Sequence, residues 1–428
     1  MKLAVESPVL RRIRGGTRAS VRRFWSHRQA LGTPLIESAP GDLEHRRVTF
    51  LWRSSRDCDA AVLSVLDDFD WDRGRLERLA GTDIWYRSHH VGADVRTVYF
   101  FVDTPPPRRL TRPIDWLKYS LRWKRDPLNP LTFVFPADPE DPKDKEIVGS
   151  VLSLPKARPA ASLGREVPAA FSRVELHRFR SPTLRNTRRI WIYRPRGSPQ
   201  PASVASNLLI VFDGLAYLTL VPTPAILDRL QSQNRIGPTY AVLIDSLSHP
   251  DRSRELTCND SFVRFLEGEL RPWVERRLGR SFATARTVLV GSSLGGLAAA
   301  YAALQCPSQF GNVLSQSGAF WWSPAKEEPG LLAREYAVSP RSGVRFYLEA
   351  GTLETSSGRT RETPSILASN RHLRDVLQAK GHRVAYHEFA GGHDYLCWRD
   401  TLGPAIVDLL GRRRRSSVPP QSRTKQSP

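Results

Sequence analysis

The chain has 428 residues, 40% of them apolar, with 11 Trp, 11 Tyr and 17 Phe, which is enough material for two domains and excludes an intrinsically disordered polypeptide. No apolar run approaches the roughly 20 residues of a membrane-spanning helix. The formal net charge of +21 invites a nucleic-acid or anionic-surface reading, but the arginines are spread along the whole chain without aromatic-interleaved basic motifs. A solvated Arg-rich surface is the expectation, one that also draws in an anionic substrate.

Residues 1–40 carry scattered arginines and no hydrophobic stretch of the export-leader type, and read as a basic extension of a cytoplasmic protein. Residues 41–155 read as all-β. Val48–Trp52, Ala61–Val65, Ile84–Tyr86 and Val95–Val102 are short β-branched and aromatic runs separated by Asp, Gly and Pro clusters, a pattern that suits a small antiparallel sandwich. His89 and His90 fall on one such strand, with side chains on opposite faces. Pro105–Pro107 and Asp126–Pro130 mark loops, and the Pro/Ala/Arg-rich residues 156–171 read as a linker.

Over residues 172–411 strands alternate with helices. Arg189–Tyr193, Leu208–Phe212, Tyr240–Ile244, Thr287–Val290, Asn312–Ser315, Val344–Leu348 and Val384–Phe389 are the predicted strands. Near-continuous apolar strands of this kind indicate a mostly parallel sheet covered on both faces, with ligands beyond the carboxyl ends of its strands. The Arg-rich tail 412–428 has nothing to bury and is expected to be disordered; a nucleic-acid or lipid contact there is the minority alternative.

Gly291-Ser292-Ser293-Leu294-Gly295, placed between a strand and an Ala-rich helix, has the form G-x-S-x-G of a nucleophile elbow, with Ser293 as nucleophile. Both glycines are expected because a side chain at either would strike backbone. In α/β-hydrolases the order along the chain is serine, acid, histidine. His393, in Gly391-Gly392-His393-Asp394 after the last strand, is the candidate base. Glu354, after the preceding strand, is the candidate acid, with Asp394 as its rival and Glu349 as a strand-end residue. The amide of Leu294 and that of Gly214 or Leu215 are candidate oxyanion donors. Arg252 and Arg254 are candidate substrate-binding residues, with pairing to Asp251 or Glu255 as the alternative. Cys58, Cys258, Cys306 and Cys397 are dispersed, so neither a disulfide framework nor a zinc site is expected, and neither a metal nor a cofactor is required.

Ile84-Trp85-Tyr86, Asp126-Pro127-Leu128-Asn129-Pro130, Val211–Gly214, Arg254–Leu256 with Glu269–Val274, Gly291–Gly296, Ser315–Gly318, Glu349–Glu354, and Gly391–Asp394 with Cys397-Trp398 together resemble the enterochelin esterases. The resemblance covers about residues 45–411. It implies an α/β-hydrolase domain preceded by an immunoglobulin-like sandwich that helps shape the cleft. It also implies cytoplasmic hydrolysis of the serine-lactone esters of a ferric catecholate siderophore of the enterobactin type, with iron arriving as cargo of this small-molecule substrate. The basic termini depart from the family, as does a glutamate where many such hydrolases place aspartate, which leaves a Ser–His dyad open. A related esterase for acyl or feruloyl-type esters, and a non-catalytic binding protein, are the alternatives.

Overall fold

Both expected units form in the computed structural model, which describes residues 7–39, 41–106, 119–159, 166–198, 201, 204–356 and 363–411. The front unit holds β1 (Leu35–Ala39), β2 (Asp42–Arg53), β3 (Ala61–Ser64), β4 (Glu77–Arg78), β5 (Ile84–Gly92), β6 (Arg96–Val102), β7 (Thr132–Phe135) and β8 (Ile147–Ser153). They form two four-stranded antiparallel sheets, ordered β1-β2-β5-β4 and β3-β6-β8-β7. Alternation along the strands sends Val48, Phe50, Val62, Tyr99, Phe101 and Leu152 into the space between the sheets.

Residues 7–39 pack onto the sandwich. The helix Arg18–Leu31 presents Val21, Phe24 and Trp25 to Leu51, Leu79, Ile84 and Tyr86 on the outer face of the first sheet, and Trp25 donates its indole N–H to Asp83 at 2.8 Å. β1 is itself a strand of that sheet, paired with β2. Apolar residues at i, i+3 and i+4 carry the helix signal, and the surrounding arginines dilute it.

The Asp126–Pro130 segment pins the other sheet. Asp126 accepts from the Tyr99 hydroxyl at 2.7 Å, while Asn129 donates to that hydroxyl at 3.0 Å and to the Val151 carbonyl at 2.9 Å. Its distinctive residues therefore serve packing of the sandwich.

The second unit holds β9 (Val174–Ser181), β10 (Asn186–Tyr193), β11 (Asn207–Val211), β12 (Thr239–Ile244), β13 (Thr287–Ser292), β14 (Asn312–Gln316), β15 (Arg345–Gly351) and β16 (Arg383–Phe389). They build one eight-stranded sheet ordered β16-β15-β14-β13-β11-β12-β10-β9. β10 runs antiparallel to both neighbours, and β11 through β16 are parallel. Separate apolar cores cover the two faces, which is why β11 to β14 are buried along their whole length. The expected linker ends in a helix, Glu166–Phe171, whose Ala170 belongs to one of these cores.

No helix among the described residues is long and apolar enough to cross a membrane. The expected disordered tail, 412–428, lies outside the described residues.

Candidate active site

Ser293 sits between β13 and the helix Leu294–Gln305 with φ 55° and ψ −121°, a strained conformation for a residue with a side chain. Its N–H donates to the Gln316 carbonyl at 3.0 Å, and its own carbonyl accepts from Ala319 at 2.9 Å, so the end of β14 holds the turn from both sides. The glycine requirement is partly redistributed. A methyl group on Gly291 would lie 2.4 Å from the Gly295 carbonyl carbon, and one on Gly296 would lie 2.3 Å from Ser315 Oγ. One on Gly295 would meet Asp213 at 3.4 Å, which is tight but not a backbone collision.

The candidate acid and base meet directly: His393 Nδ1 lies 2.5 Å from Glu354 Oε1. The carboxylate is 1% exposed and the imidazole 36%, so the charge is buried while the far edge of the ring faces the open side. Glu354 Oε2 accepts from the Gly351 amide at 2.5 Å and from the Ser317 hydroxyl at 2.8 Å, and Ser317 in turn accepts from Trp398 Nε1 at 3.0 Å. Leu353 N–H donates to the Gly391 carbonyl at 3.0 Å, which extends the β15–β16 pairing and ties the acid loop to the histidine loop. The Trp398 ring lies edge-on to the imidazole at 4.9 Å. Ser293, Glu354 and His393 thus follow β13, β15 and β16 at the same carboxyl-end rim of the sheet.

Asp394, the rival acid, is engaged elsewhere. It caps the helix Tyr395–Leu410 through the Cys397 amide at 2.9 Å and accepts from Thr97 Oγ1 at 2.7 Å across the domain boundary. Arg96 N–H reaches the Ala390 carbonyl at 3.2 Å, and Arg96 also pairs with Asp400 at 2.5 Å. The paired glycines are required here by space. A methyl group on Gly392 would sit 2.2 Å from Val65 Cγ2, and one on Gly391 would sit 2.5 Å from Cys397 Sγ. The histidine loop is therefore clasped against β6 and Val65 of the sandwich.

On the opposite flank, Gly214 opens the helix Gly214–Thr219 after Asp213, which lies in the left-handed region at φ 52°. A methyl group on Gly214 would come within 2.8 Å of the β12 backbone. The first amides of this helix and of Leu294–Gln305 have no intrahelical acceptor, which keeps Gly214, Leu215 and Leu294 available as donors.

Arg252 clamps Asp213 with two hydrogen bonds, 2.6 and 2.7 Å, on the helix His249–Glu255. Burial acts to lower its pKa, and the Asp213 carboxylate more than offsets this, leaving it raised. Arg254 instead points to Asp251 at 2.5 Å and is 60% exposed. The expected pairing alternative thus describes Arg254, whereas Glu255 is taken by the buried Arg188 at 2.6 Å.

One arrangement went unseen in the sequence. The Gln316 side chain accepts from Tyr217 at 2.8 Å and donates to Glu349 at 2.7 Å, Thr401 at 2.8 Å and the Trp398 carbonyl at 3.0 Å. One buried amide thereby links the Gly214 helix, β15 and the helix after His393. Glu349, expected only as a strand-end residue, is fully enclosed here, and burial pushes its carboxyl up to about 7. Position after a strand was its sole sequence signal.

The chain is similar to known proteins over most of its length. Residues 181–409 match the family model described as "Putative esterase", and residues 47–163 match "Enterochelin esterase, N-terminal". The iron(III) enterobactin esterase of Dickeya dadantii is 32% identical over 89% of this chain and 90% of its own length. That of Escherichia coli K12 is 30% identical over 85% of this chain and 90% of its own. A crystal structure of the Shigella flexneri enterobactin esterase in the presence of enterobactin has a TM-score of 0.69 and 27% identity, covering 92% of this chain and 99% of that one. The chain belongs to the enterobactin (enterochelin) esterase family and is a carboxylic-ester hydrolase with an α/β-hydrolase fold behind a β-sandwich.

Proposed function

We propose that this protein hydrolyses the serine-lactone esters of a ferric catecholate siderophore of the enterobactin type, using Ser293, His393 and Glu354. The observation that carries the residue assignment is the 2.5 Å contact between His393 and a fully buried Glu354 at the rim where Ser293 is held in its strained turn. The relatives' action on iron(III) enterobactin supports the substrate class.

In this reading the Ser293 hydroxyl adds to the ester carbonyl as His393 Nε2 takes its proton. Glu354 holds Nδ1–H and stabilises the imidazolium that forms. The oxyanion is met by the amide of Leu294 and by that of Gly214 or Leu215, donors fixed in place before the reaction begins. The imidazolium then returns its proton to the departing serine hydroxyl of the siderophore, and water, activated by the same imidazole, clears the acyl group from Ser293. Arg252 serves by holding Asp213 and so the Gly214 turn, and it adds positive charge on the flank where an anionic ferric complex arrives. Arg254, committed to Asp251 at the surface, contributes to the general field rather than to a contact. The four free thiols fit a reducing compartment, and the reaction is assigned to the cytoplasm.

The test compares turnover of ferric enterobactin with that of a simple aryl ester and a feruloyl ester. Strong preference for the siderophore is expected. Equal or greater turnover of the other esters would replace the substrate while leaving the serine chemistry intact.

A further inference from the structure

Three metal-ligating side chains outside the catalytic set converge on the sheet β1-β2-β5-β4. Asp42 opens β2, His45 follows three residues later, and His90 comes from the neighbouring β5. We propose that Asp42, His45 and His90 form a binding site for a divalent transition-metal ion of the zinc, nickel or copper class.

The spacing supports this. Asp42 Oδ2 lies 3.0 Å from His45 Nδ1 and 3.4 Å from His90 Nε2, and the three ligand atoms all lie within 4.8 Å of one another. Ligands bound at about 2.0–2.2 Å around a tetrahedral ion stand roughly 3.3–3.5 Å apart, a separation that the two Asp–His pairs already approach. The imidazoles stack at 4.6 Å between centroids and present different nitrogens to the same carboxylate oxygen.

The carboxylate is oriented from behind. Asp42 Oδ1 accepts from the backbone amides of Glu44 and His45, each at 3.0 Å, and lies 3.2 Å from His45 Nδ1, while Oδ2 is the oxygen shared by both rings. The strand ladder fixes the remaining geometry, since His45 lies opposite Gly92 and His90 opposite Arg47. Of the neighbouring cations, Lys156 pairs with Glu44 at 2.6 Å and Arg46 donates to the His45 carbonyl at 2.7 Å, while Arg47 stands opposite His90 in the ladder. Two imidazoles and one carboxylate select borderline ions over magnesium or calcium. The side chains of His45 and His90 are 45% and 43% exposed, so water fills the remaining coordination positions. The sequence could not reveal this grouping, because the partner of Asp42 and His45 is a cross-strand residue far along the chain.

The full-length protein, stripped with a chelator, should bind zinc chloride at one saturable site by calorimetry and give no heat with magnesium chloride. His45→Ala/His90→Ala should abolish that site, and Asp42→Asn should weaken it about tenfold or more. With copper(II) bound, electron paramagnetic resonance should show coupling to two imidazole nitrogens. His45→Gln/His90→Gln serves as a second variant should the alanine form fold poorly, as judged by circular dichroism. Ester hydrolysis should be unchanged in all of them. An unaltered zinc isotherm in either double variant, absence of saturable binding in the native protein, or a copper spectrum without two coupled nitrogens would overturn the proposal.

Discussion

At the Asp126–Asn129 turn of the sandwich, both carboxylate oxygens of Asp126 and the amide of Asn129 find partners among Tyr99, Val151, Leu128 and Leu131. At the end of β14 an equally buried network runs from Tyr217 through Gln316, Glu349 and Thr401, with Ser317 and Trp398 leading on to Glu354. That second network does not close. It ends at an imidazole with an exposed edge, at the same rim of the sheet as a serine on a strained turn. A closed network yields stability, whereas an open one leaves a polar atom oriented and unspent, which is what chemistry requires.

The sharpest way to break this contrast is Ser293→Ala. Turnover should fall by roughly 10⁴- to 10⁶-fold while siderophore affinity, read by fluorescence quenching, stays within a few-fold. Retained turnover would remove the nucleophile and with it the open end of the network.

Next in size, Glu354→Gln should lower kcat by roughly 10²- to 10⁴-fold through loss of the imidazole's tautomer control. Asp394→Asn should act mainly on stability, by about 1–3 kcal/mol, because it disturbs a helix cap and an interdomain hydrogen bond. Steady-state kinetics of the two variants side by side decides between the acids. A larger loss of kcat in the Asp394 variant would transfer the role.

In the closed network, Asp126→Ala should cost about 2–3 kcal/mol by leaving the buried Tyr99 hydroxyl and the Leu128 amide without their acceptor. Urea denaturation reads this loss, and kcat/KM of the folded protein should be unchanged. A large change in kcat/KM would mean that the sandwich motif reaches the chemistry after all.

The smallest effect concerns pH. Glu349 has its carboxyl raised from an ordinary 4.5 to about 7, so the folded protein holds this proton more tightly than the unfolded chain. The resulting stabilisation is complete below pH 4.5 and is lost as pH rises through 7. Glu349→Gln removes a slope of about 1–3 kcal/mol between those limits, measured as the difference between native and variant unfolding free energies at pH 5 and pH 8. Parallel curves would show that the carboxyl is not protonated in the folded state.

Much of this was legible from sequence because it is local. The elbow announces itself through a strand, two glycines and a helix, and the order serine, acid, histidine follows from the fold. β9 escaped notice because its residues, Val-Glu-Leu-His-Arg-Phe-Arg-Ser, alternate along a half-exposed edge strand and carry little apolar density. β7 and β8 are short or interrupted by Gly149, whose missing side chain makes room for Val98 and Phe100. The Arg252–Asp213 clamp and the Gln316 network join residues 39 and 33 to 99 positions apart, distances over which spacing carries no information.

The tight fit of Gly392 against Val65 carries a lesson for engineering. The Val65 side chain of the sandwich fills the space that a side chain at position 392 would need, so enlarging Val65 is expected to displace the loop that carries His393 from outside the hydrolase domain. Transplanting that domain behind a different front module would require rebuilding this surface first.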